Sequence, residues 1–197
     1  MAEQGPSLQQ IHEGFEEWLG STPGYVSTFR HDEANSEVPT EIDVLFFLPE
    51  EGPNEDDITT VTTAGMSSRP MKDSSQRVEL VMELKGQLDE KGRETLARQL
   101  ADLAILPFQK GWTFGENTVL DGIVLHPFER MTHVLIKNWS TTEEALPDVD
   151  PRVVLLRAIP LFEKEAAVVR EIGDVPALAR FLGKKARMED FDREPVE

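Results

Sequence analysis

The four histidines, at positions 12, 31, 126 and 133, are the groups best suited to acid–base or metal chemistry. Imidazole titrates near neutrality and ligates transition metals. No two of them stand at the i, i+4 interval that places a pair on one helix face. The chain has no cysteine, which removes the thiolate nucleophile and the cysteine metal site together. A metal would have to gather imidazoles and carboxylates from separate elements, so the histidines read as ordinary surface or core residues. Ser67 and Ser68 offer hydroxyls beside Gly65, but no G-x-S-x-G elbow or S-x-x-K pair surrounds them. Their stretch reads as a tight turn, in which Gly65 adopts a conformation other residues avoid and Pro70 fixes a second one. Gly111 and Gly115 are isolated and no G-K-[ST] follows, so no phosphate-cradling loop is present. Glu79 and Glu83 fall on one strand and read as solvent-facing. Catalysis would need scattered groups such as Asp43, Glu79, His126 and His133 to converge, and the sequence gives no sign that they do.

The elements that would position these residues are legible in part. Ser7 followed by Gln10 is a capping-box pattern. It opens an amphipathic helix to Leu19 with Ile11, Phe15, Trp18 and Leu19 on one face, and Gly20 ends it. Ser21–Thr40 reads as loop. Ile42–Leu48 is a nearly continuous apolar strand, which predicts burial on both faces. Glu50–Asp57 is an acidic loop around a Gly-Pro turn, and Ile58–Thr63 is a Thr/Val-rich strand. Gln76–Leu84 alternates as a strand with one buried face. Glu90–Leu106 is the strongest helix, closed by Pro107. Asp121-Gly122 predicts a hairpin joining Thr118–Leu120 to Ile123–Leu125. Strands follow at Thr132–Asn138 and Val153–Leu161, separated by a polar loop at Ser140–Asp150. Two helices, Phe162–Glu171 and Val175–Leu182, close the chain, and Met188–Glu197 is expected to fray or to dock loosely. Grouped rather than alternating strands predict an α+β fold, a mixed or antiparallel sheet flanked by helices in one compact domain.

Charge is distributed unevenly. Residues 1–57 hold fourteen Asp and Glu against one base, Arg30, which is −13 of the chain's net −17. Such a field repels nucleic acid and anionic membrane and speeds encounter with a basic partner. The plain alternative is an acidic surface kept for solubility. Lys184, Lys185 and Arg187 are the one short basic cluster, flanked by Glu189 and Asp190, far short of a nucleic-acid site. At 39% hydrophobic and 29% charged, 197 residues suffice for a sizeable core. The chain starts without the pattern of a signal peptide and has no apolar run near the ~20 residues needed to span a bilayer. The expectation is a cytoplasmic protein without cofactor, monomeric or weakly dimeric.

One pattern goes beyond composition. Gly65-Met66-Ser67-Ser68-Arg69-Pro70-Met71, then Arg77-Val78-Glu79-Leu80, then a Leu/Ala helix, resembles the suppressor-of-fused domain. That family writes a G-M-S-x-x-P-M turn before an R-x-E-L strand, then G-x-T-[IV] and P-[IL]-x-x-x-E. The later counterparts here are Gly115–Val119, with one extra residue, and Pro160–Glu165. The resemblance runs from about Ile42 to Leu182 and leaves the acidic N-terminal part uncovered. It implies a division into residues 1–41 (acidic helix and loop), 42–183 (the domain) and 184–197 (acidic tail). It also implies a non-enzymatic binding module whose motif residues Gly65, Met66, Ser67, Pro70, Met71, Arg77, Glu79 and Leu80 are structural. Eukaryotic relatives restrain a Hedgehog-pathway transcription factor by gripping a peptide, partly by strand addition. Stand-alone bacterial relatives are inferred to be immunity proteins that neutralise toxins. The resemblance thus implies a protein partner, a basic toxin domain or an extended peptide. On the toxin reading, to which the N-terminal charge adds, Glu50, Glu51, Glu55, Asp56 and Asp57 form part of the contact; on the peptide reading the acids serve only solubility.

Overall fold

The computed structural model describes residues 5–31, 37–49, 57–115, 118–139, 146, 149, 150 and 152–196. The elements in chain order are α1 (Leu8–Leu19), β1 (Tyr25–Arg30), β2 (Glu41–Phe47), β3 (Ile58–Ala64), β4 (Arg77–Lys85), α2 (Glu90–Lys110), β5 (Thr118–Asp121), β6 (His133–Asn138), β7 (Val153–Leu161), α3 (Glu163–Ile172) and α4 (Asp174–Gly183). All seven strands form one mixed sheet of order β1-β2-β3-β4-β7-β6-β5. Its antiparallel halves, β1–β4 and β5–β7, are joined by the parallel β4–β7 pair. A parallel pair requires a crossover, and α2 lies within it.

Strand alternation divides the core between two faces. Val44, Phe46, Leu80, Met82 and Val134 meet Leu96, Leu100 and Leu103 of α2 on one side. On the other, Leu45, Phe47 and Val81 pack against Ile11 and Phe15 of α1. Farther along that face, Leu135, Ile159 and Leu161 pack against Val169, Ala177 and Phe181 of α3 and α4.

Several sequence expectations need correction. The segment Ser21–Thr40 contains strand β1, whose Tyr25 and Phe29 lie under Arg93 and Arg98 of α2. Its exposure alternates, as suits an edge strand. The Asp121-Gly122 hairpin does not form, because β5 pairs with β6 and Ile123–Leu125 is not a strand. Pro107 lies inside α2, which runs one turn farther to a left-handed cap at Gly111. Strand β4 is central, so it is buried on both faces rather than one.

The C-terminal segment neither frays nor docks loosely. Glu165 of α3 is fully buried and Arg193 is 8% exposed. Both guanidinium ends donate to that carboxylate, at 2.5 and 2.8 Å. The amides of Val196 and Phe162 donate to the same carboxylate, and Arg193 stacks over the Phe162 ring at 5.0 Å. Met188 and Val196 add apolar burial. Glu165 ends the Pro160–Glu165 motif, so that motif's acid latches the tail to the sheet. An Arg193→Met substitution keeps much of the stem volume but strands the buried carboxylate. Urea unfolding should show a loss of about 3–5 kcal/mol; a loss below about 1 kcal/mol, the level of an exposed pair, would contradict the latch.

Candidate functional site

Glu79 projects from β4 onto the α1 face, where no water reaches it. Four donors converge on its carboxyl group. Gly65 N and Ser67 N donate to Oε1 at 2.9 Å each, Ser67 Oγ donates to Oε1 at 2.6 Å, and Thr63 Oγ1 donates to Oε2 at 2.7 Å. Thr63 Oγ1 in turn accepts the Leu80 amide at 2.8 Å. Three of these donor residues lie in five consecutive positions, because Gly65 turns the chain at φ 113° into a short 3-10 turn, Met66–Ser68. A Cβ at Gly65 would stand 2.4 Å from the Glu41 carbonyl, so both backbone angle and space demand glycine. Met66 and Met71 are buried in the α2-side core, and Arg77 Nη1 donates to the Ser67 carbonyl at 2.9 Å. Pro70 is exposed at the end of the turn. The reading of Glu79 as solvent-facing is therefore wrong. The signal that could have shown it is the matched spacing of Thr63, Gly65 and Ser67, a ladder of small donors facing one acid.

Burial pushes the Glu79 carboxyl up to about 7, and the hydrogen bonds from Ser67, Thr63 and Gly65 pull the other way without overcoming it. On the same sheet face, Glu83 also sits above its usual range, raised by burial and opposed by the Arg157 charge that pairs with it.

Asp43, His126 and His133, also weighed for chemistry, each have their own partners. Asp43 on β2 accepts from Thr28 Oγ1 at 2.6 Å and meets His12 Nε2 at 2.9 Å. Burial raises its pKa, but the His12 and Thr28 hydrogen bonds outweigh that and hold it below the ordinary value. The hydroxyl donates to the carboxylate and not to the imidazole, so Thr28 is not set up as an activated nucleophile. The trio ties α1 and β1 to β2. His126 meets Glu129 at 2.6 Å, and His133 meets Asp121 at 3.1 Å. No hydrogen bond or ion pair joins any two of Asp43, Glu79, His126 and His133. Among the described residues no group of three or more His, Asp or Glu side chains is placed to hold a metal ion, and no helix is long and apolar enough to cross a membrane.

Glu50, Glu51, Glu55 and Asp56 lie outside the described residues. Asp57 is half-buried, and its carbonyl accepts the Gly86 amide at 2.6 Å. Asp57 therefore leads into β3 beside the C-terminal end of β2. Tyr25, the start of β1, is registered against Phe46 at that same end. Among the described residues no strand pairs with the outer edge of β1. The His31 amide donates to the Thr40 carbonyl at 2.8 Å. By antiparallel alternation, that phase turns the amides of Val26, Thr28 and Arg30 outward.

Residues 39–194 match the family model described as "Suppressor of fused protein (SUFU)". Among curated protein sequences none matches. Among solved structures, a protein assigned as a SUFU homologue from Neisseria gonorrhoeae is similar at 15% identity, TM-score 0.63, over 95% of this chain and 94% of that one. The Sufu-Fu complex crystal structure is similar at 11% identity, TM-score 0.63, over 98% of this chain and 92% of that one. Drosophila Suppressor of Fused is similar at 11% identity, TM-score 0.66, over 97% of this chain and 51% of that one. This chain thus spans about half the length of the Drosophila protein. At these identities the likeness establishes the fold.

The Glu79 geometry has a pH signature. A carboxyl raised from 4.5 to about 7 on folding contributes its stability fully below pH 4.5 and loses it as pH rises toward 7, by roughly 3 kcal/mol. Urea unfolding of the wild type against Glu79→Gln should show that slope in the wild type alone; matching slopes would refute the raised value. Glu79→Ala leaves two amides and two hydroxyls without their acceptor and should cost more than about 3 kcal/mol.

Proposed function

The chain belongs to the suppressor of fused protein family, and on that premise we propose that it works by gripping another polypeptide. More specifically, it acts as an immunity protein that neutralises a basic toxin domain. The observation that carries the charge part is the −13 held by the first 57 residues of a −17 chain. Complementary fields raise association rates by 10-fold to 1,000-fold. The binding part is supported by the dispersal of Asp43, Glu79, His126 and His133 into separate local contacts. It is also supported by a related fold solved as the Sufu-Fu complex. Strand β1 supplies a row of outward backbone groups for strand addition. On this reading Glu50, Glu51, Glu55, Asp56 and Asp57 form part of the contact and select a basic partner. On this reading the protein needs no cofactor and acts in the compartment where its partner is made, the cytoplasm.

A second reading rests on the open β1 edge alone: a regulator that sequesters an extended peptide, with the acids serving solubility. Stopped-flow association with the partner separates the two. Raising ionic strength from roughly 0.01 M to roughly 0.15 M shortens the Debye length from about 30 to about 8 Å. The immunity reading expects the on-rate to fall at least tenfold, and neutralising the five acids to Gln and Asn should produce a similar fall with little change in off-rate. A salt-insensitive on-rate removes the electrostatic reading and leaves the peptide regulator. Under either reading Val26→Pro, which deletes an outward amide, should weaken affinity at least tenfold; unchanged affinity excludes β1 as the docking edge.

A further inference from the structure

Strand β5 does not return as a hairpin at Asp121-Gly122, and the chain that follows runs beside α2 instead. That segment is held at both ends. The Gly122 amide donates to the Thr132 carbonyl at 2.9 Å, and the His126 amide donates to Gln99 Oε1 of α2 at 2.7 Å. Between the segment and the helix lies a groove of about 330 Å³. Leu103 and Leu106 form its helix wall, and Ile123, Val124 and Leu125 form the wall opposite. Leu125 is buried, but Leu106 is half-buried and Val124 stays 36% exposed, so the apolar surface is left open.

We propose that this groove receives an aliphatic side chain of a partner polypeptide, with a neighbouring Lys or Arg of that partner paired to Asp102. Ligand sites run from roughly 300 to 1,000 Å³, and a volume at the low end suits a side chain better than a cofactor. Among the described lining residues Asp102 carries the one formal charge, at an exposed position on the helix side. Among the described residues no hydrogen bond or ion pair engages it. Arg98, one turn earlier on α2, lies over the Phe29 ring of β1 at 5.5 Å. A cation arriving beside Asp102 therefore meets an unengaged carboxylate next to apolar walls. The net charge of −17 favours its approach and disfavours an anion's. Gln109 is exposed on the same helix wall, and its amide can both donate and accept, as a peptide group requires. That match favours a polypeptide over a free amine.

The choice of occupant rests on the reading that the chain grips a polypeptide. The groove itself shares no residue with the β1 edge or the 50–57 segment, and it follows β5, the strand at the opposite edge of the sheet from β1. Val26→Pro tests the β1 edge and leaves the groove untouched, so failure of the groove and failure of the docking edge are distinguishable.

The test is a titration of the 15N-labelled full chain with the capped tripeptide acetyl-Leu-Leu-Lys-amide and, separately, with the same peptide carrying Gln in place of Lys. The expected result is saturable amide shifts centred on Asp102, Gln109 and Val124. The Lys peptide should bind about fivefold more tightly than the Gln peptide at low salt. Asp102→Asn, at an exposed position that leaves the amide dispersion intact, should remove that preference while the Gln peptide binds as before. n-Butylammonium, which carries the charge without the apolar anchor, should bind at least tenfold more weakly than the Lys peptide. Shifts that never saturate or that fall only outside the groove overturn the proposal. So do equal affinities for the two peptides, a preference that survives Asp102→Asn, and n-butylammonium binding as tightly as the Lys peptide, which would identify a free amine as the occupant.

Discussion

A carboxyl group taken wholly out of water must be given donors, and Glu79 receives four from a single stretch of chain. Those bonds fix where β3 ends, how sharply the backbone turns at Gly65, and where β4 begins. Met66 and Met71 then enter the core, while Ser68, Arg69 and Pro70 stay at the surface. The fold's most recognisable sequence run is in this sense one interaction written twice, once as its acid and once as its donors. The cost of burying that acid is visible in its raised pKa, near 7.

The remaining architecture follows from placing that turn at the middle of a sheet covered on both sides. The parallel β4–β7 pair forces the α2 crossover, and α2 fills one face. The other face is divided between α1 and the α3–α4 pair. Polar anchors hold these coverings in register: His12 and Thr28 on Asp43 for α1 and β1, and Arg193 on Glu165 for the C-terminal segment. Each anchor is an acid on a buried or half-buried wall with its donor arriving from a distant segment. Asp43 and Glu165 are the acids that serve these anchors.

Much of the fold was legible in sequence where hydrophobic period and burial agree. The apolar run of β2, the Leu/Ala spacing of α2 and the Ser7–Gln10 capping box all correspond to elements of the structure. What was not legible depended on distant contacts. Strand β1 alternates half-buried and exposed residues, and its pairing with β2 comes from a connection that sequence alone reads as loop. Asp121-Gly122 carries hairpin chemistry, but β5 finds its partner in β6, beyond the turn. Glu79 shows period-two placement that a solvent-facing acid would share, and only the donors folded over it reveal burial. Arg193 sits in a polar stretch whose composition suggests fraying, while its partner lies 28 residues away on α3.

The account's central claim is that this scaffold offers the outer edge of β1 to another polypeptide. The most direct measurement is amide hydrogen exchange at Val26, Thr28 and Arg30, compared between the protein alone and the saturated complex with its partner. The account predicts fast exchange alone and strong protection of these three amides on binding. Unchanged exchange at all three in a fully formed complex would contradict it.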